Sequence, residues 1–83
     1  DQKMLLTCLP IFVKISDLYM EEEAVIVQKI LPLVWNFSMA DTLSLSNYKK
    51  YNQVINTISL KVQQNHEAKV QKIESRNISA NGL

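Results

Sequence analysis

Apolar residues recur along this chain at three- and four-residue steps, the spacing of one face of an α-helix, rather than alternating as in a half-buried strand. In the first stretch, about residues 2–18, Met4, Leu5, Cys8, Leu9, Phe12, Ile15 and Leu18 form a broad face, with Lys3, Lys14 and Asp17 on the solvated side. Pro10 lies inside this stretch and predicts a bend, because proline removes a backbone donor and clashes with the preceding turn. A second helix is expected over about 22–39. Its stripe is Val27, Ile30, Leu31, Val34, Trp35 and Phe37 or Ser38, and Pro32 should kink it or restart it. The third pattern is the longest, about 47–73. Tyr48, Tyr51, Ile55, Ile58 and Val62 step by three and four residues, a coiled-coil-like seam. The next two seam positions are Asn65 and Lys69, so the helix is expected to leave the domain there and project outward.

The core expected from these patterns contains Leu31, Trp35, Tyr51, Ile55, Ile58 and Val62. The sole glycine is Gly82, too few for tight hairpins. The fold class is therefore all-α: about three helices, the last one long, with short connectors and no strand. Proline-bent helices joined in this way fit the end unit of a helical-repeat stack, a HEAT-like α-solenoid. An end unit leaves one side bare, so the first helix is expected to face further repeats or a partner chain. Residues 1–67 form the repeat fragment in this reading, and residues 68–83 a helix extension with a polar tail that frays from Glu74 onward.

The chain has 83 residues, enough for one small domain. Such a domain buries only about 60–65% of its unfolded surface and is marginal alone. A start at Asp1 rather than Met is the expected look of a piece of a longer polypeptide. The net charge is +1, too small to draw the chain to nucleic acid or membrane. It is unevenly spread. Residues 1–45 carry three lysines against six carboxylates, net −3, while residues 46–83 carry five lysines and one arginine against two glutamates, net +4. The basic residues of the expected extension, Lys69, Lys72 and Arg76, are the candidate contacts for an acidic partner.

Few residues suggest chemistry. Cys8 is the one cysteine, set among apolar residues, which points to a packed thiol and a reducing compartment. Glu21, Glu22 and Glu23 suit the first turn of the second helix, where carboxylates complement the helix dipole. Adjacent carboxylates on a helix diverge, so no metal site is expected from them. His66 is the one histidine and has no Cys, Asp or Ser patterned around it for a triad or zinc site. Tyr48 and Tyr51 flank Lys49 and Lys50, an interleaving seen in single-strand nucleic-acid binders. On a helix, however, the tyrosines share the buried face and the lysines point elsewhere, so nucleic acid is not the expected partner. Trp35 reads first as core and second as an anchor for a partner. The Asn36-Phe37-Ser38 and Asn77-Ile78-Ser79 sequons read as chance matches. Charges break every apolar run well short of the ~20 residues of a membrane span. No glycine-rich phosphate loop is present, and no cofactor is implied. Residue chemistry alone leads to a helical packing and interaction segment.

One stretch carries a resemblance. Leu31-Pro32-Leu33-Val34-Trp35 is followed by Ser38-Met39 and a polar loop. Tyr48-Lys49-Lys50-Tyr51-Asn52-Gln53-Val54-Ile55 comes next, and Ser59-Leu60-Lys61-Val62-Gln63-Gln64-Asn65-His66 closes the run. Over roughly residues 26–67 this resembles the end of the helical-repeat region of the Scy-like pseudokinases. Gln63 and Gln64 stand where that family has acidic residues, and Ala40 where it has glycine, so a divergent member is implied. The resemblance implies a non-catalytic scaffold, its kinase-fold domain lying outside these residues. It also implies a role in coated-vesicle traffic around Golgi and endosomes. The implied partners are the remaining repeats of the parent chain, coatomer or clathrin coat proteins and small GTPases, with membrane reached only through those partners and a cytoplasmic location. A tRNA-export or translation-linked scaffold of the same architecture is the alternative within the resemblance, and a generic helix-bundle module the alternative outside it.

Overall fold

The computed structural model describes residues 2–81, with side chains through Arg76. Three helical rods are joined by short connectors, and no strand occurs among the described residues. The first is α1, Gln2–Leu18. The second is continuous but built in three pieces: α2 (Glu23–Val25), a π-helical turn (Ile26–Ile30) and α3 (Leu31–Ser38). The third is α4, Leu45–Asn81, 37 residues long. At 1.5 Å per residue α4 alone spans about 55 Å, and it sets the longest dimension of the molecule, 61 Å. The radius of gyration is 16.8 Å, against about 12 Å for a compact domain of this size.

Polar contacts fix an up-down-up arrangement. Gln2 Oε1 accepts from the Ser44 amide at 2.9 Å and from Asn47 Nδ2 at 2.8 Å. Tyr51 donates its hydroxyl to the Leu5 carbonyl, and Lys61 meets Asp17 at 3.2 Å. These pairs ascend together along α1 and α4, so the two helices run parallel. The middle rod returns between their ends, its first residue Glu23 lying against the His66 and Lys69 level of α4. Ser44 opens α4 as its N-cap, accepting the Asn47 amide at 3.2 Å.

The core consists of Leu5, Leu9 and Phe12 from α1, Ile26, Ile30 and Val34 from the middle rod, and Tyr51, Ile55, Ile58 and Val62 from α4. Phe12 and Phe37 meet edge to face, ring centroids 5.3 Å apart. Two buried positions are serines. Ser16 and Ser38 donate to the carbonyls of Val13 and Trp35 at 2.7 and 2.6 Å, which offsets the cost of burying their hydroxyls.

Several expectations need correction. Trp35 is not core: it is 53% exposed. Pro32 has no N–H to give the Gln28 carbonyl, and its ring crowds that carbonyl. The chain responds upstream, widening the turn before proline into the π-helical turn. That turn stacks Ile26 over Ile30, and α3 carries the line on through Val34 and Ser38. Burying Val34 completely rotates Trp35 about 100° away from the core. Val27, also expected in the stripe, is exposed for the same reason, and Leu31 is only partly buried. On α1, Met4 and Leu18 are exposed and Ser16 is buried instead. Pro10 sits on the exposed side within an unbroken α1. The third helix starts at Leu45 rather than 47. It runs to Asn81, past the fraying expected from Glu74, while Gly82 and Leu83 lie outside the described residues.

Candidate interaction surface

The seam of α4 is where packing passes into recognition. Its three-and-four spacing continues without a break beyond Val62, through Asn65, Lys69, Lys72 and Arg76. One helix face therefore changes from apolar to basic while keeping its direction. The change falls where the middle rod begins. From Tyr51 to Val62 the seam faces α1 and the middle rod and is buried, while Tyr48, its expected first member, is only partly buried. One turn on, it meets the Glu23 carboxylate.

Glu23 joins the two helices there. His66 Nδ1 lies 2.9 Å from Glu23 Oε2. An ionised carboxylate only accepts, so His66 donates from Nδ1. Lys69 Nζ stands 3.1 Å from Glu23 Oε1, off the angle of a hydrogen bond. Oε1 is thus buried against a cation without a directed donor. The His66 hydrogen bond first, and Lys69 second, hold the Glu23 carboxyl below its ordinary value of 4.5. His66 stays exposed but is paired with Glu23, and Lys69, expected on a helix that has left the domain, is held by the same carboxylate. Asn65, at the intervening seam position, is partly buried rather than projecting. The missed signal was the i, i+3 spacing of His66, beside the seam, and Lys69, on it, opposite the acidic start of an antiparallel helix.

Past this cluster the surface opens. Lys69, Lys72 and Arg76, the candidate partner residues, share one side of α4 with Ile73 among them, and together the four line a shallow depression. Lys72, Ile73 and Arg76 are exposed. Among the described residues neither Lys72 nor Arg76 makes an ion pair. The acidic Glu67 and Glu74 are seven residues apart and fall on the opposite side of the helix.

A second surface flanks the middle rod. Ala24, Val27 and Gln28 of the rod, with Val62, Gln63 and Glu67 of α4, line an open groove of about 500 Å³ that the Glu23–His66 pair also lines. Leu31 and Trp35 continue the line of Val27 at four-residue steps. The middle rod therefore carries two apolar stripes, one inside the bundle and one at the surface.

The remaining candidates are accounted for by packing. Tyr51 is fully buried and its hydroxyl bonded to Leu5, one residue from Leu6, whose carbonyl loses its helical donor at Pro10. Burial, and then Cys8, push the Tyr51 hydroxyl above its ordinary value of 10.0. Cys8 is a free thiol, half-buried against the core. Among the described residues no group of three or more His, Cys, Asp or Glu could hold a metal ion. None of the described helices is long and apolar enough to cross a membrane.

No family model matches the chain, and no solved structure does. A match does come from the protein kinase-like protein SCY1 of Saccharomyces cerevisiae, 40% identical over 70 residues. The match takes in 84% of this chain and reaches well outside the 26–67 stretch that carried the resemblance. It spans only 9% of the yeast protein. The chain is thus a Scy-like segment, related over most of its length to one small part of a kinase-like protein.

Proposed function

We propose that this segment is a non-catalytic scaffold unit of a Scy-like kinase-like protein. In this reading residues 1–67 form the end unit of a HEAT-like α-solenoid, and residues 68–83 extend its last helix. The observation that carries the proposal is the 40% identity to a kinase-like protein, in a segment whose distinctive residues pack or lie exposed. α1 and the middle rod form an antiparallel hairpin of the kind that stacks into solenoids, and α4 lies along it as a cap. Met4, Ile11 and Leu18 are all exposed on α1 at seven-residue steps. They would contact the preceding repeats of the parent chain.

The function served is assembly in coated-vesicle traffic at Golgi and endosomal membranes. Its partners are coatomer or clathrin coat proteins or small GTPases, and membrane is reached through them. The test is isolation of the full-length parent from cells at low and at high salt, with identification of what stays bound. Coat proteins retained with the parent, at low salt or at both concentrations, support the proposal, since a protein interface of apolar contacts and a few ion pairs loses little to salt beside an RNA complex. Recovery of tRNA and its export factors, lost steeply as salt rises, would replace it with the RNA-linked scaffold.

A further inference from the structure

We infer that the last turns of α4 are a docking site for an acidic amphipathic helix of a partner protein. The site comprises Lys72 and Arg76, with Ile73 between them and Lys69 at its inner edge. The inference deepens the scaffold reading and rests on it, by naming the surface and the chemistry of what binds there.

The bundle itself shows how this face is used. Along α4 the seam is occupied by the antiparallel middle rod as far as Glu23, the rod's first residue. At that point the occupant places a carboxylate against the first cation of the basic run, Lys69, at 3.1 Å. From Lys69 to Asn81 α4 continues for about another 18 Å. A second helix laid on that seam would continue the line of the rod, its contacts falling within the two turns from Lys69 to Arg76. Carboxylates on its successive turns would meet Lys72 and Arg76 as Glu23 meets Lys69, and an apolar residue between them would cover the exposed Ile73.

Charge distribution favours this occupant over the two other polyanions. Residues 67–76 hold Lys69, Lys72 and Arg76 against Glu67 and Glu74, a net charge of only +1. Polybasic membrane-binding segments carry about 4–8 uncompensated cations. Nucleic acid is likewise held by many phosphate contacts at once. Here the two glutamates sit behind the helix, away from the cations. A bilayer or an RNA would feel the small net charge. A helix seated in register on the seam would meet the cations alone.

The test uses the whole 83-residue chain and a synthetic alanine-rich helical peptide with glutamates three and four residues apart flanking a leucine. Binding is read by fluorescence polarisation. A control peptide carries lysine at each glutamate position, and phosphatidylserine vesicles and polyuridylate serve as competing ligands. The acidic peptide should bind, the lysine peptide should not, and Lys72→Glu/Arg76→Glu should weaken acidic-peptide binding about tenfold or more. Both residues are exposed, so the helical circular dichroism of the variant should match the parent. The same variant should acquire affinity for the lysine peptide. The inference is overturned if the acidic peptide fails to bind, if the charge-reversed variant binds it equally well, or if vesicles or RNA bind in its place. Because no coat protein enters this assay, its failure leaves the scaffold reading to be decided by the isolation of the parent.

Discussion

Replacing Trp35 by alanine should cost less stability than trimming one buried isoleucine. In a core, Trp→Ala costs about 3–5 kcal/mol, because transfer energy is lost and a cavity remains. Here 53% of the residue is exposed. About half of the transfer energy is at stake, and solvent fills the space left, so the expected loss is about 1–2 kcal/mol. At about 4–8 °C per kcal/mol for a domain of this size, the melting temperature should fall by roughly 4–16 °C with folding still cooperative. Ile55 is 3% exposed, and Ile55→Ala should cost about 2–5 kcal/mol. Urea denaturation followed by circular dichroism gives both values in one series. Trp35 is also the sole tryptophan, so an aqueous quencher should reach its fluorescence in the native state. If Trp35→Ala costs as much as Ile55→Ala or more, and the quencher reaches the indole only on unfolding, the π-helical register derived for the middle rod is wrong.

Other outcomes follow from the polar contacts. The Glu23 carboxyl is held below 4.5 in the folded state, so its contribution is present above that pH and is lost as pH falls through the lowered folded value; Glu23→Gln should flatten the acid limb of a stability profile. The Tyr51 hydroxyl is raised above 10.0, so its contribution is present below that pH and is lost as pH rises from there toward the folded value. Tyr51→Phe should remove that alkaline component, and at neutral pH it should cost about 1 kcal/mol for the lost bond to Leu5. Truncation after Lys72 should leave the melting temperature unchanged, whereas truncation after His66 removes Lys69 from Glu23 and should lower it by a few degrees; equal effects would mean that Lys69 does not help hold α4 to the middle rod.

What could be read from sequence was what periodicity determines. The limits of α1, the helical class and the buried run of α4 from Tyr51 to Val62 all follow from three-and-four spacing, which a long single helix preserves. The middle rod was legible in part: Ile30, Val34 and Ser38 of its expected stripe are buried, and Ile26 joins them. Val27, Leu31 and Trp35 form a neighbouring four-residue line that a uniform 3.6-residue wheel sets on the same broad face. With the π-helical turn before Pro32 only the first line lies inside. The Glu23 cluster was missed for another reason. Glu23 and His66 are 43 residues apart, and no local pattern pairs them until the up-down-up topology brings them level. The basic run was visible as composition. Its place on the same face as the core seam required only the heptad to be extended past its last apolar residue.

In the proposed scaffold role this segment holds other proteins, and surface variants within the full-length parent put that role to the test. Parent proteins carrying Trp35→Ala, or Lys72→Glu/Arg76→Glu, would be isolated from cells, and the recovered coat proteins quantified against the unaltered parent. The account predicts a several-fold loss of coat protein with at least one of these variants, at equal recovery of the parent itself. Recovery of coat proteins unchanged by both variants would contradict it.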